Sequence, residues 1–139
     1  MNRKVLALFS ILFIGLTTYA QDQKPTITLS PDGEPKMHMV ITEHDFGDIQ
    51  QGVKPEYVFT FVNEGSAPLV INEVKTPCSC TAPSYSKEAV DPGKSGEIRV
   101  QYNSTGRVGT FVKTVTVNFN SDQSPSFITI KGNVVIPKH

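Results

Sequence analysis

EIRVQYNSTGRVGTFVKTVTVNF, residues 97–119, decides the fold of this 139-residue chain. Ile98, Val100 and Tyr102 alternate with Glu97, Arg99 and Gln101. Successive side chains of a strand point to opposite faces, so this alternation describes a strand with one face buried and one in water. Thr105-Gly106 then turns the chain. From Gly109 to Phe119 the pattern resumes, with Phe111, Val115, Val117 and Phe119 on one face and Lys113 as its only charged member.

The same grammar extends in both directions. Asp91-Pro92-Gly93-Lys94 is a strong turn before residue 97, and Asn120-Ser121-Asp122 is another after residue 119. Phe127 to Val135 then closes the domain with Ile128 and Ile130. Upstream, Glu56 to Asn63 places Tyr57, Phe59 and Phe61 on one face, and Asn63-Glu64-Gly65-Ser66 ends that strand. Leu69 to Lys75 follows. Met37 to Glu43 reads as the first strand, succeeded by Phe46-Gly47-Asp48-Ile49 and a turn at Gln51-Gly52. No stretch holds a 3.6-residue period over three turns. The expected fold is therefore all-β, an antiparallel sandwich of about seven strands. With no Trp and no widely spaced cysteine pair, an antibody-type domain is excluded.

Residues 1–20 read as a signal peptide. Asn2-Arg3-Lys4 gives a positive start, Val5 to Leu16 is apolar apart from Ser10 and Gly15, and Thr18-Tyr19-Ala20 supplies small residues before Gln21. The run is too short to span a bilayer, so export to the periplasm or cell envelope, or secretion beyond it, is expected with no membrane span after cleavage. Residues 21–36, with Pro25, Pro31, Gly33 and Pro35, read as a flexible leader in which Ile27 and Leu29 could pair at an edge. The sandwich domain occupies 37–139. Without Arg3 and Lys4 the chain holds 11 basic and 13 acidic side chains, about −2 net. That balance argues against nucleic acid or an anionic membrane as partner.

Cys78-Ser79-Cys80 contains both cysteines of the chain. A disulfide here closes almost no loop and is a poor staple. In an extended strand, residues two apart have Cα atoms roughly 6.6 Å apart, whereas a disulfide needs Cβ atoms about 3.8 Å apart, so bridging requires a kink. Strained disulfide, free dithiol, metal chelate and a purely structural corner without chemistry all stay open on the residues alone. As thiolates the pair could hold a soft ion such as Cu(I). Tetrahedral zinc would need two further ligands from Met37, His38, Met39, His44 or His139. As a tight disulfide the pair could exchange with thiols, and Lys113, if near, would favour the thiolate. No nucleophile turn, phosphate loop or catalytic carboxylate pair is readable. Asn103-Ser104-Thr105 is a glycosylation acceptor by pattern only.

His44-Asp45-Phe46-Gly47-Asp48-Ile49, Phe59-Thr60-Phe61-Val62-Asn63-Glu64-Gly65, Ala67-Pro68-Leu69-Val70-Ile71, Cys78-Ser79-Cys80-Thr81, Pro92-Gly93-Lys94-Ser95-Gly96, Gly109-Thr110-Phe111-Val112-Lys113 and Ile130-Lys131-Gly132-Asn133-Val134 together resemble the bacterial family catalogued as domain of unknown function 1573. The resemblance runs from about Glu43 to Val135. It implies an immunoglobulin-like sandwich related to domains of cilium and centrosome proteins, and an envelope location of the kind common in Bacteroidota. It implies no activity. Within these motifs Phe46, Phe59 and Phe61 are expected as core anchors. Gly47, Gly65, Gly93 and Gly109 are expected at special backbone angles or close approaches, with Asn63 and Asp91 as turn starts and Pro92 as a structural residue of the second turn.

Two functions follow as expectations. The first is a non-enzymatic envelope binding module whose partner is another envelope protein. Its candidate surfaces are the cysteine loop and the Met37–Glu43 edge. The second is a periplasmic thiol-redox or copper-binding protein working through Cys78 and Cys80. No cofactor is expected under the first reading, and copper only under the second.

Overall fold

The computed structural model describes residues 33–138, so the signal-peptide reading of residues 1–20 and most of the leader lie outside the described residues. Among the described residues eight strands form: β1 (Met37–Met39), β2 (Glu43–Gln50), β3 (Glu56–Asn63), β4 (Ile71–Lys75), β5 (Thr81–Tyr85), β6 (Ser95–Tyr102), β7 (Gly109–Phe119) and β8 (Ser126–Val135). They make two four-stranded sheets, ordered β1-β3-β6-β5 and β2-β8-β7-β4. The alternating apolar faces of β3, β6, β7 and β8 meet between the layers. Phe59, Ile98, Val100, Val115, Val117, Ile128 and Ile130 are all fully buried there. At about 1.5–3 kcal/mol per buried side chain of this size, that face is the main stabilising element.

Several features differ from the sequence expectation. The segment from Met37 to Glu43 is not one strand. β1 pairs antiparallel with β3, opposite Phe61–Asn63, and stops at Met39. Val40 N still donates to Thr60 O, but Thr42 O already accepts from Thr129 N of the other sheet. The chain thus changes layers within three residues, leaving Val40 and Ile41 exposed. Its continuation, β2, runs parallel to β8, so the sandwich is not wholly antiparallel.

The strand expected from Leu69 begins at Ile71, while Leu69 forms an isolated bridge to Val90. A further strand, β5, forms over Thr-Ala-Pro-Ser-Tyr, a sequence of low strand propensity. The ladder of β6 templates it. Phe59 and Phe61 are buried, whereas Phe46 is only half-buried. Gly47 adopts φ 64° where the β2–β8 register slips between Asp45 and Asp48, a bulge that an L side chain would resist. Gly65 lies so close to the backbone of Glu34–Lys36 that a Cβ there would collide with it. Gly93 and Gly109 also have positive φ, and Pro92 sits in the turn closed by Lys94 N donating to Asp91 O.

Candidate functional site

The cysteine pair lies where the chain crosses from one sheet to the other. Lys75, the last residue of β4, stands opposite Thr116 in one layer. Thr81, the first of β5, stands opposite Tyr102 in the other. Residues 76–80 make the crossing. Cys78 and Cys80 are joined as a disulfide with Cα atoms 5.2 Å apart, shorter than the roughly 6.6 Å of an extended strand. A folded corner thus supplies the kink that the spacing demanded. Cys78 O accepts from Thr81 N at 3.3 Å and from Thr76 Oγ1 at 3.3 Å, and Cys80 O accepts from Asn103 N at 2.8 Å. Cys80 is only 3% exposed, while Cys78 is half-buried. The Thr81 hydroxyl lies 3.8 Å from each sulfur.

The other proposed ligands are elsewhere. β1 and β5 are opposite edges of one sheet, and β2 and β4 opposite edges of the other. Met37, His38, Met39 and His44 therefore occupy one flank and the cysteines the other. Met39 is buried opposite Phe61, and His38 Nδ1 faces Glu64 at 3.9 Å. His44 stacks on Tyr57 with centroids 3.7 Å apart and meets Phe46 edge-on at 4.6 Å. His139 lies outside the described residues. Lys113 is half-buried on β7 opposite Ile130. It stands three residues, roughly 10 Å of strand, from Thr116, whose partner Lys75 is where β4 ends and the chain leaves toward the cysteines. With both sulfurs in one bond there is no thiol for Lys113 to tune in this state.

The His44 flank holds an open sheet edge. Because β1 ends at Met39, Glu56–Phe59 of β3 has β6 on one side and no strand on the other among the described residues. A shallow hollow lies there, lined by Val40, Ile41, Tyr57, Val58, Phe59 and Thr60, none of them charged. The other edges carry features that oppose further pairing. β5 has Pro83 at its centre. β4 has an irregularity between Ile71 and Glu73, and Glu73 faces Lys75 at 3.4 Å. β2 has its bulge and the acids Glu43, Asp45 and Asp48. Proline, bulges and charges are the devices by which sheet edges avoid extra strands.

A second concavity, an open cleft of about 350 Å³, sits over the β2 bulge between Asp45, Asp48, Lys131 and Asn133. Its polar groups already have partners. Asp45 Oδ1 accepts from Gly47 N, and Asp48 Oδ1 from Asn133 Nδ2. Lys131 pairs with Glu43, and that hydrogen bond raises the Lys131 pKa above its ordinary value.

Asn63, expected only to start a turn, is fully buried and makes four hydrogen bonds. Its amide donates to Ala67 O and Val90 O, and its carbonyl accepts from Lys36 N and Gly65 N. Ser104 is also fully buried and donates to Val53 O, tying two turns together. Asn63 was visible as an amide at the end of an apolar strand face. Ser104 and Thr81 carry no such signal, since their partners are distant in the chain.

The family model described as "Protein of unknown function (DUF1573)" matches residues 37–134. Among solved structures, a protein of unknown function from Porphyromonas gingivalis W83 is similar at 18% identity and TM-score 0.65, over 78% of this chain and 51% of that one. This chain therefore spans about half the length of that relative. The ASH / PapD-like domain 7 of human CEP192 is similar at 7% identity and TM-score 0.63, over 90% of this chain and 99% of that one. The Vibrio cholerae VesB protease is similar at 13% identity and TM-score 0.55, over 73% of this chain and 31% of that one. At these identities the likeness is one of fold: an immunoglobulin-like, PapD-like β-sandwich. No curated protein sequence matches.

Proposed function

The chain belongs to the DUF1573 family, and from that premise we propose that it is a non-enzymatic binding module of the cell envelope. Its open β1–β3 edge takes an extended segment of another envelope protein by main-chain pairing. One observation carries this reading: among the described residues three edges of the sandwich bear a proline or an irregularity in their pairing, and the stretch of β3 beyond Met39 bears neither, its one charge, Glu56, being held by Arg99 of β6. The added segment would present alternate side chains to the Tyr57 side of β3, where no charge lies, and to the Val58 side, which carries the Glu56–Arg99 pair, so a segment alternating apolar and polar residues fits best. Export rests on the apolar run from Val5 to Leu16 behind Arg3 and Lys4.

The test uses a photo-crosslinking residue in place of Val40 in the native host, identification of the captured envelope protein, and titration of a peptide from its contact segment. Val40→Lys with Ile41→Lys should weaken that binding at least tenfold while leaving the unfolding midpoint unchanged, because both side chains are exposed. Cys78→Ala with Cys80→Ala should leave it nearly intact. Undiminished binding by the lysine variant overturns the reading, as does loss of binding in the folded cysteine variant.

A further inference from the structure

We propose that Cys78–Cys80 is a dithiol–disulfide exchange site for a partner-protein dithiol, with Cys78 the sulfur attacked and Cys80 the leaving sulfur. The bond closes a ring of three residues, and cross-links stabilise more the longer the loop they close, so this one adds little as a staple. The corner also does not depend on it. The hydrogen bonds from Thr81 N and Thr76 Oγ1 to Cys78 O, and from Asn103 N to Cys80 O, involve no sulfur. The backbone turn therefore persists when the bond opens, and the pair can cycle within a folded domain.

The two sulfurs are unlike in environment. Cys78 is half-buried and flanked by the exposed Pro77 and Ser79, so its sulfur is the one open to attack. Cys80 is 3% exposed and lies in the core cluster. A buried thiolate is costly unless a donor meets it. Thr81 Oγ1, on a residue itself 3% exposed, lies 3.8 Å from both sulfurs, so burial and not this hydroxyl distinguishes them, and it can donate to Cys80 Sγ as charge develops there.

A partner thiolate attacks Cys78 Sγ, the Cys78–Cys80 bond breaks, and Cys80 leaves as a thiolate that takes a proton from water. A second partner thiolate then attacks the partner sulfur of the mixed disulfide, and Cys78 leaves and is protonated. The partner dithiol is oxidised to a disulfide and this chain is reduced to a dithiol, with two electrons transferred. Reaction with a more oxidising protein disulfide reverses these steps. The site lies on the flank opposite the open β1–β3 edge and stands whether or not a strand docks there.

The folded chain is equilibrated with graded ratios of reduced to oxidised glutathione as the probe, quenched by alkylation, and read by intact mass and peptide mapping. The fold is followed in parallel by near-ultraviolet circular dichroism. The expected result is a reversible two-thiol transition within the glutathione range, with the spectrum retained. In Cys80→Ser the glutathione adduct should form on Cys78. In Cys78→Ser adduct formation on Cys80 should be at least tenfold slower. Reduction that occurs only once the protein is unfolded overturns the proposal. So do thiols that stay free in excess oxidised glutathione, or equal adduct rates in the two single variants. Exchange with glutathione but not with a test protein dithiol of matched potential refutes the protein-partner part alone.

Discussion

Replacing Asn63 by alanine should cost about 3–4 kcal/mol of stability, a value that follows from its four hydrogen bonds. The side chain is fully buried and bonds to Ala67 O and Val90 O at 2.8 Å, and to Gly65 N and Lys36 N at 2.9 and 3.2 Å. Each such bond contributes roughly 0.5–1.5 kcal/mol net, and an abandoned buried partner costs more. Lys36, Gly65 and Ala67 lie near the surface, where water can replace part of the loss, whereas the bond to Val90 O is buried. Four bonds near the middle of the range give the stated figure, a large fraction of the roughly 5–15 kcal/mol that holds a domain folded. The assay is equilibrium urea denaturation of the chain expressed without residues 1–20. Asn63→Asp provides the control: it keeps both acceptor bonds but turns the donor side into an anion facing two carbonyl oxygens. Its folded-state pKa should therefore lie above the unfolded value. The variant should recover stability as pH falls toward the ordinary carboxylate range, and its loss should be complete above the raised pKa. A loss under about 1 kcal/mol for Asn63→Ala, or an aspartate variant as stable as the parent at neutral pH, would refute the reasoning.

Other expectations concern the staple and the core. Cys78→Ser with Cys80→Ser should lower stability by about 1.6 kcal/mol, the loop-closure value for a three-residue ring. Urea curves showing a loss of twice that would make the corner a structural element in its own right. Phe59→Ala should cost about 3–5 kcal/mol, because Phe59 is fully buried. Phe127→Ala, at a side chain 54% exposed, should stay within about 0.5 kcal/mol; equal losses in thermal melts would contradict the assigned core. Gly65→Ala should destabilise through collision with the Glu34–Lys36 backbone, and an unchanged melting temperature would place that segment differently.

Strands with a clean period of two were legible from the residues. β3, β6 and β7 follow the apolar alternation, because burial of one face is a local pattern. β5 was not, since Ala82-Pro83-Ser84 has neither alternation nor propensity and takes its form from hydrogen bonds to β6. The break after Met39 was hidden for a related reason. Val40 and Ile41 continue an apolar run, and only the competing partners, Thr60 on one sheet and Thr129 on the other, divide it. At the candidate site, Cys78 and Cys80 were evident by type and spacing. Their separation from Met37, His38, Met39 and His44 was not, because it depends on strand order.

The layer faces, the turns and the nearness of the two sulfurs follow from local residue patterns, all set by interactions within a few residues. The tertiary structure decided which sulfur is buried, which edge stays open and which polar side chains meet inside. Those outcomes depend on strands far apart in the chain, whose pairing order no local pattern encodes.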